Sequence, residues 1–465
     1  MEKGPTTKTI KEPAREVRVF READVVVVGG GPGGHSAAIA AARNGADTVL
    51  IERYGHLGGM ATGGLVVLIP HLSDGTEEQQ IAGLCQEWLD RLDVRDAVVH
   101  PKKEDLGSTD KEIVDYWQSF SSFFVCEGRV QLNAIVDPEI LKCVLNEMVE
   151  EAGVKVYLHS WGTEAVVDGD EVKGIIFESK SGRQAILGKV VIDATGDGDL
   201  LPSAGAEFDA KIDPKLRIRN LAVVFQIGNV DVRRTDEFKE TQAQKWAELM
   251  TEIKGLDGFP LRGGRMYHEA SLQNSVVSFN NFNPCTSQID VEELTRVEFE
   301  VRKKMLVTYD FLKKYVPGFE QSFVMLTAPQ LGTRGARRVI GEYMVTEEDM
   351  RRGTVFDDTI AVCPVHHHVV SPEHPHVHIP YRSLVPHKVE ALLVGCRAFS
   401  SEDVVNNDYN LIPHCIAIGE AAGTAAAMAV KAGIQPRNVD HNALQERLIK
   451  QGVPLPDVLK ARIET

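Results

Sequence analysis

The chain has 465 residues, of which 43% are hydrophobic and 25% charged, with a formal net charge of −16. Such a length accommodates two or three domains or one large composite fold, and the negative balance repels nucleic acid and anionic membrane alike, which excludes both as main partners. Seven cysteines, scattered and never spaced C-x-x-C, exclude a redox dithiol and an iron–sulfur centre and fit a reduced, cytoplasmic compartment.

Residues 1–17 mix Lys, Pro, Thr and Glu without periodicity and read as a flexible tail, with no apolar signal core. The run Val25 to Val28 is β-branched and leads directly into Gly29, Gly31 and Gly34, spaced G-x-G-x-x-G, after which Ala37 to Ala42 continue as a small-residue helix. Strand, glycine turn and helix in this order form a dinucleotide fingerprint. Gly29 permits the turn, Gly31 lets the backbone approach a pyrophosphate, and Gly34 lets helix and strand pack closely, with the phosphates on the helix N-terminus. A second strand ends at Glu52, 23 positions after Gly29, close to the spacing of about 20 at which an acid accepts hydrogen bonds from ribose hydroxyls and repels a 2′-phosphate.

Past Glu52 the chain is glycine-dense through Gly58, Gly59, Gly63 and Gly64. Residues 75–95 carry helical spacing through Ile81, Leu84, Trp88 and Leu92, and this helix is expected to begin a second domain. Trp117, Phe120, Phe123 and Phe124 cluster as core aromatics. Asp137-Pro138-Glu139 is a helix start, with Asp as cap and Pro in the first turn, and Gly153 ends that helix. Strand patterns on either side of Asp168-Gly169-Asp170 predict a hairpin, and Val190 to Asp193 is another buried strand, ending in Ala194-Thr195-Gly196-Asp197. Beyond Gly205, strand-like segments and a helix over Val291 to Tyr315 predict a mainly antiparallel covering layer.

Two constellations in that layer carry chemistry. Arg334, Arg337 and Arg338 lie among glycines, where they form either a fork for a substrate carboxylate or phosphate, or a salt-bridge network with Glu342, Glu347, Glu348 and Asp349. His366, His367 and His368, followed by His374, His376 and His378, offer imidazoles for proton transfer. Alternation in the second set also suits a metal; both uses stand, and no metal site is assigned. The chain ends with an apolar strand, Ala391 to Val394, the turn at Cys396-Arg397, and a helix opened by Pro413 with Gly419, Ala422 and Gly423 along it. A positive helix N-terminus there would stabilise a developing anion.

The fingerprint, the Gly58-Gly59 doublet, Ala194-Thr195-Gly196-Asp197-Gly198-Asp199, the stretch LGTRGARRVIGEYMVT and the closing helix GEAAGTAAAMA together resemble FAD-dependent oxidoreductases of the glutathione-reductase-like superfold. The resemblance implies an α/β chain: a Rossmann-like FAD-binding domain from residues 18–72, 127–205 and 383–465, into which an α+β substrate or cap domain of residues 73–126 and 206–382 is inserted. It implies FAD held by Gly29, Gly31, Pro32, Gly33, Gly34, Glu52, Arg53, Gly58, Gly59, Met60, Ala61, Gly162, Ala194, Thr195, Gly196, Asp197, Arg397, Asn410 and Ile412. The family's Asp-x-His pair is His366-x-His368 here, which keeps a base in His368 and changes its orienting partner; Arg334 and Arg337 would face the pocket as substrate ligands. Cys396-Arg397 replaces a Gly-Arg turn, and Asn410 an arginine. The implied partners are a small polar substrate, an electron acceptor, and a second copy or a partner subunit.

Overall fold

The computed structural model describes residues 9–121, 123–258, 267–268, 275–281, 283–364 and 376–463. Strand β1 (Arg18–Val28) becomes fully buried over Val25 to Val28, and the chain turns through the glycines into helix α1 (Pro32–Arg43) and strand β2 (Thr48–Ile51). Helix α2 (Leu84–Asp93) is followed by α3 (Pro138–Glu151), whose cap is as expected: Asp137 Oδ1 accepts from the amides of Glu139 and Ile140 at 2.8 and 3.0 Å. Then come β3 (Lys155–Tyr157), β4 (Trp161–Asp168), β5 (Glu171–Ser179) and the long β6 (Gly182–Asp193), with Gly169 at φ +65° in the expected hairpin turn.

The covering layer holds β7 (Phe225–Gly228), β8 (Val277–Phe279), helix α4 (Val291–Tyr315) and β9 (Phe323–Thr327); β7 lies between β8 and β9, antiparallel to both. A hairpin, β10 (Thr359–Pro364) with β11 (His376–Pro380), then precedes β12 (Leu392–Val394), α5 (Ile412–Ala432) and α6 (His441–Lys450).

The main sheet runs β3-β2-β1-β6-β5-β4, with β12 also on β6. Pairs β3/β2, β2/β1, β1/β6 and β6/β12 are parallel, and the β4–β5–β6 meander is antiparallel. One edge of β6 therefore carries β5 over residues 182–187 and β12 over residues 191–193. This is the expected α/β architecture, assembled from distant segments of chain.

Helix α5 lies against α1 because both are stripped of side-chain bulk at the crossing. A Cβ at Gly419 would stand 2.0 Å from the Gly33 carbonyl oxygen, and one at Gly423 2.0 Å from that of Ala37. Among the described residues α5 alone has the length and apolarity of a membrane span, yet 78% of that stretch is buried inside the protein.

Core packing crosses the expected domain boundaries. Leu84, Trp88, Leu89 and Leu92 of α2 belong to the same core as the valines of β1, as do Val339, Ile360, Cys363 and Ile379. The separate core of the covering layer lies within residues 221–328, joined by Leu65. The periodicity of α2 was legible, but its packing partners α3 and α5 lie far along the chain.

Candidate functional site

A cleft opens where the carboxyl ends of β1, β2 and β6 meet the first turns of α1 and α5, and residues Gln330 and Thr333 from the end of the covering layer also line it. Its glycines differ in task. Gly29 has φ +99°, and a Cβ there would stand 2.5 Å from the Ala194 carbonyl oxygen. Gly34 would meet the Gly29 carbonyl oxygen at 1.7 Å. Gly31 faces open space, with nothing within 4 Å of its Cβ position. Gly31 precedes helix α1 as its cap residue and offers no side chain to it, so the first amides of the helix are available to an anion.

Glu52 is 7% exposed. Its Oε2 accepts from the Gly30 amide at 2.7 Å and its Oε1 from the Tyr54 amide at 2.8 Å. Burial raises its pKa, and these amides oppose the rise. Each oxygen keeps a lone pair for a ribose hydroxyl. Beside it the Arg53 guanidinium lies between the rings of Tyr54 and Trp161, 4.9 and 5.7 Å from their centroids, and so ties the β2 exit to the start of β4 next to Gly162.

The Ala194-Thr195-Gly196 turn is held from below. Asp193, fully buried, accepts from the Thr195 amide and hydroxyl at 3.0 and 2.7 Å and from the Leu200 amide at 3.0 Å; burial pushes its pKa up. Arg397 Nη2 donates to Asp197 Oδ1 at 3.0 Å and to Thr333 Oγ1 at 2.7 Å, and the Thr333 hydroxyl reaches Asp197 Oδ2 at 2.9 Å. This triad fastens the covering layer to the cofactor domain at the cleft wall.

Gly29, Gly31, Pro32, Gly33, Glu52, Arg53, Gly59, Met60, Gly162, Ala194, Thr195, Gly196 and Arg397 all line the cleft. The Gly58 amide donates to the Gly30 carbonyl at 2.8 Å, and Ala61 is buried in the turn that follows. Asn410 Nδ2 donates to the Arg334 carbonyl at 3.1 Å, and Ile412 opens α5. A carbohydrate-binding acid, an uncapped helix N-terminus and a glycine cradle in one cleft fit an extended dinucleotide.

The arginines separate. Arg337 Nη1 donates to Asp199 Oδ1 at 3.1 Å and to the Asp197 carbonyl at 3.2 Å, so its charge is matched inside the cleft wall. Arg338, 1% exposed, pairs with Asp209 at 3.0 Å. The network reading therefore holds for these two with other partners than expected: Glu342 pairs with Arg437, and Asp349 closes the capping box of a short helix. The Arg334 amide donates to Gln288 Oε1 at 2.7 Å, which seats this residue at the seam between the two layers.

His366, His368 and His374 lie outside the described residues. His376 and His378 sit on β11, and His376 Nε2 meets Asp74 Oδ2 at 2.8 Å. Burial pushes His378 down to about 4. Asp74 was not found from the sequence. Its one local signal was Asp74-Gly75-Thr76, an ordinary turn, and its partner is 302 positions away. No group of three or more metal-ligating side chains occurs among the described residues.

Residues 24–448 match the family model described as FAD dependent oxidoreductase. A curated relative, digeranylgeranylglycerophospholipid reductase 2 of Methanopyrus kandleri, is 26% identical over 176 residues, 38% of this chain and 38% of that protein. Among solved structures, a geranylgeranyl bacteriochlorophyll reductase-like protein from Thermoplasma acidophilum is 14% identical, with 96% of this chain and 91% of the other covered at a TM-score of 0.43. The p-nitrophenol 4-monooxygenase of Pseudomonas putida is 13% identical, with 92% and 84% covered at a TM-score of 0.44. These likenesses carry nothing about substrate. The cleft and the match over nearly the whole chain agree: this protein belongs to the FAD dependent oxidoreductase family and is an FAD-dependent enzyme.

Proposed function

We propose that this enzyme is a dehydrogenase of the glutathione-reductase-like flavoproteins that removes hydride from a C–H bond beside oxygen or nitrogen in a small polar substrate. The observation that carries the reading is that Gln330 and Thr333 of the covering layer line the same cleft as the glycine turn and Glu52, so the reacting space falls between cofactor and cover. FAD, when bound, supplies a two-electron acceptor there. Glu52 takes the ribose hydroxyls, the amides at the start of α1 take the pyrophosphate, and the uncapped start of α5 sets its positive end toward developing charge. Arg334, at the seam, orients an anionic group of the substrate. Seven free cysteines support a reducing, cytoplasmic setting.

The reverse direction, reduction of an activated double bond, is a second reading favoured by the Methanopyrus kandleri relative, which is named a reductase. Anaerobic titration of the purified holoenzyme with hydroxy acids, amines, polyols and NADH decides between them. Bleaching of the flavin band by an organic donor is expected. Bleaching by NADH alone would sink the dehydrogenase and leave the reductase.

A further inference from the structure

We propose that Asp74 and His376 form the acid–base dyad of the flavin reaction, with His376 Nδ1 exchanging a proton with the substrate and Asp74 as the positioning residue. The proposal rests on the oxidoreductase reading and adds to it the groups that handle the proton.

The geometry fixes the tautomer. A carboxylate accepting from Nε2 requires the hydrogen on that nitrogen and leaves the lone pair of a neutral imidazole on Nδ1. Nδ1 makes no hydrogen bond with a described residue, and the side chain is 24% exposed. Asp74 is fixed on its other side: Oδ1 accepts from the Thr76 amide at 2.9 Å and the Thr76 hydroxyl at 2.6 Å, and the Asp74 amide donates to Gln80 Oε1 at 2.9 Å. Burial raises the pKa of the Asp74 carboxyl, but the bonds from His376 and Thr76 outweigh it and bring the pKa to about 2. The carboxylate is therefore charged at neutral pH and stabilises an imidazolium.

The loop that carries Asp74 is built rather than slack. Ser73 Oγ accepts from the Leu132 amide at 2.8 Å, and Gln131 Nε2 donates to the Ser73 carbonyl at 2.7 Å. His71 stands at φ +62°, a conformation costing about 1–3 kcal/mol that persists only where the surroundings impose it and that gathers at active sites. The dyad connects to the cleft wall through the start of α5. His376 is in register with Pro364, whose carbonyl accepts from His414 Nε2 at 3.2 Å, and His414 belongs to the first turn of α5, next to Cys415 in the cleft wall.

In the oxidative direction a substrate C–H bond breaks and the hydrogen leaves with its electron pair, while the adjacent O–H or N–H bond breaks and its proton passes to His376 Nδ1. The carbon loses two electrons with the hydride, for which bound FAD would supply the two-electron acceptor.

The test measures the midpoint potential of the bound flavin against pH in the holoenzyme, in His376→Gln and in Asp74→Asn, which keeps an acceptor for Thr76. The potential–pH profile of the wild type is expected to change in His376→Gln and in Asp74→Asn, with flavin spectra unchanged. With the donor that bleaches the flavin, His376→Gln is expected to slow reduction by about 10²–10⁴-fold at little change in KM. Both variants keeping the wild-type potential profile with FAD bound would overturn the dyad. Absence of FAD from the wild-type protein would overturn the cofactor reading instead.

Discussion

At Gly31 the empty volume around a single Cβ position separates folding from cofactor binding. Gly31 has φ −67° and nothing within 4 Å, so Gly31→Ala is expected to fold and melt like the wild-type apoprotein while retaining little FAD, read from the visible spectrum after gel filtration. Gly34→Ala is the contrasting case, because its methyl group would stand 1.7 Å from the Gly29 carbonyl oxygen; loss of soluble protein is expected there. The two glycines look equivalent in the motif and differ in what stands opposite them.

Elements meet at Glu420, which α5 contributes to the start of α2. Its Oε2 accepts from the Leu84 amide at 2.9 Å and so caps a helix that has only Gly83 at its own N-terminus. Burial pushes the pKa up to about 7, with Glu87 adding to the rise and the Leu84 amide and Arg43 opposing it. In the unfolded chain the group ionises near 4.5. Between these values the unfolded state has released the proton and the folded state holds it, so stability falls as pH rises through that window, by about 3 kcal/mol in all. Glu420→Gln keeps an acceptor for Leu84 and is expected to flatten this slope; chemical denaturation at pH values on both sides of the window measures it. A variant with the wild-type slope would show that another group carries the effect.

This scale also shows what the sequence could and could not disclose. Strand β1, the glycine turn and α1 lie within 26 consecutive residues, and their order is their signal. The caps of α3 and the hairpin at Gly169 are local in the same way. The seat of α2 depends on Glu420, 336 positions away, and the Asp74–His376 pair spans 302. No periodicity records such pairings, since they arise only when the sheet closes. Arg337 and Arg338 were visible as charges, but which carboxylates face them depended on the turn that carries Asp199 and on the short strand pairing of Asp209 with Arg338.

For the whole molecule, the cleft is lined by the first strand–helix unit, the meander, the covering layer and the last long helix. A ligand bound only by the folded state stabilises it through mass action, by about 2.7 kcal/mol when its free concentration is 100 times Kd. Removal of FAD is therefore expected to lower the Tm, with recovery graded by added FAD in differential scanning fluorimetry. A Tm indifferent to FAD would mean that the cleft does not hold it.

The sharing of one edge of β6 between β5 and β12 bears on synthesis at the ribosome. Strand β12 begins at Leu392 and α5 ends at Ala432, so the glycine and alanine face of α1 stays bare until most of the chain has emerged. The covering layer can condense earlier, around its own core of residues 221–328. The covering layer is therefore expected to form before α5 reaches α1, and cofactor loading to come among the last events in the life of a new molecule.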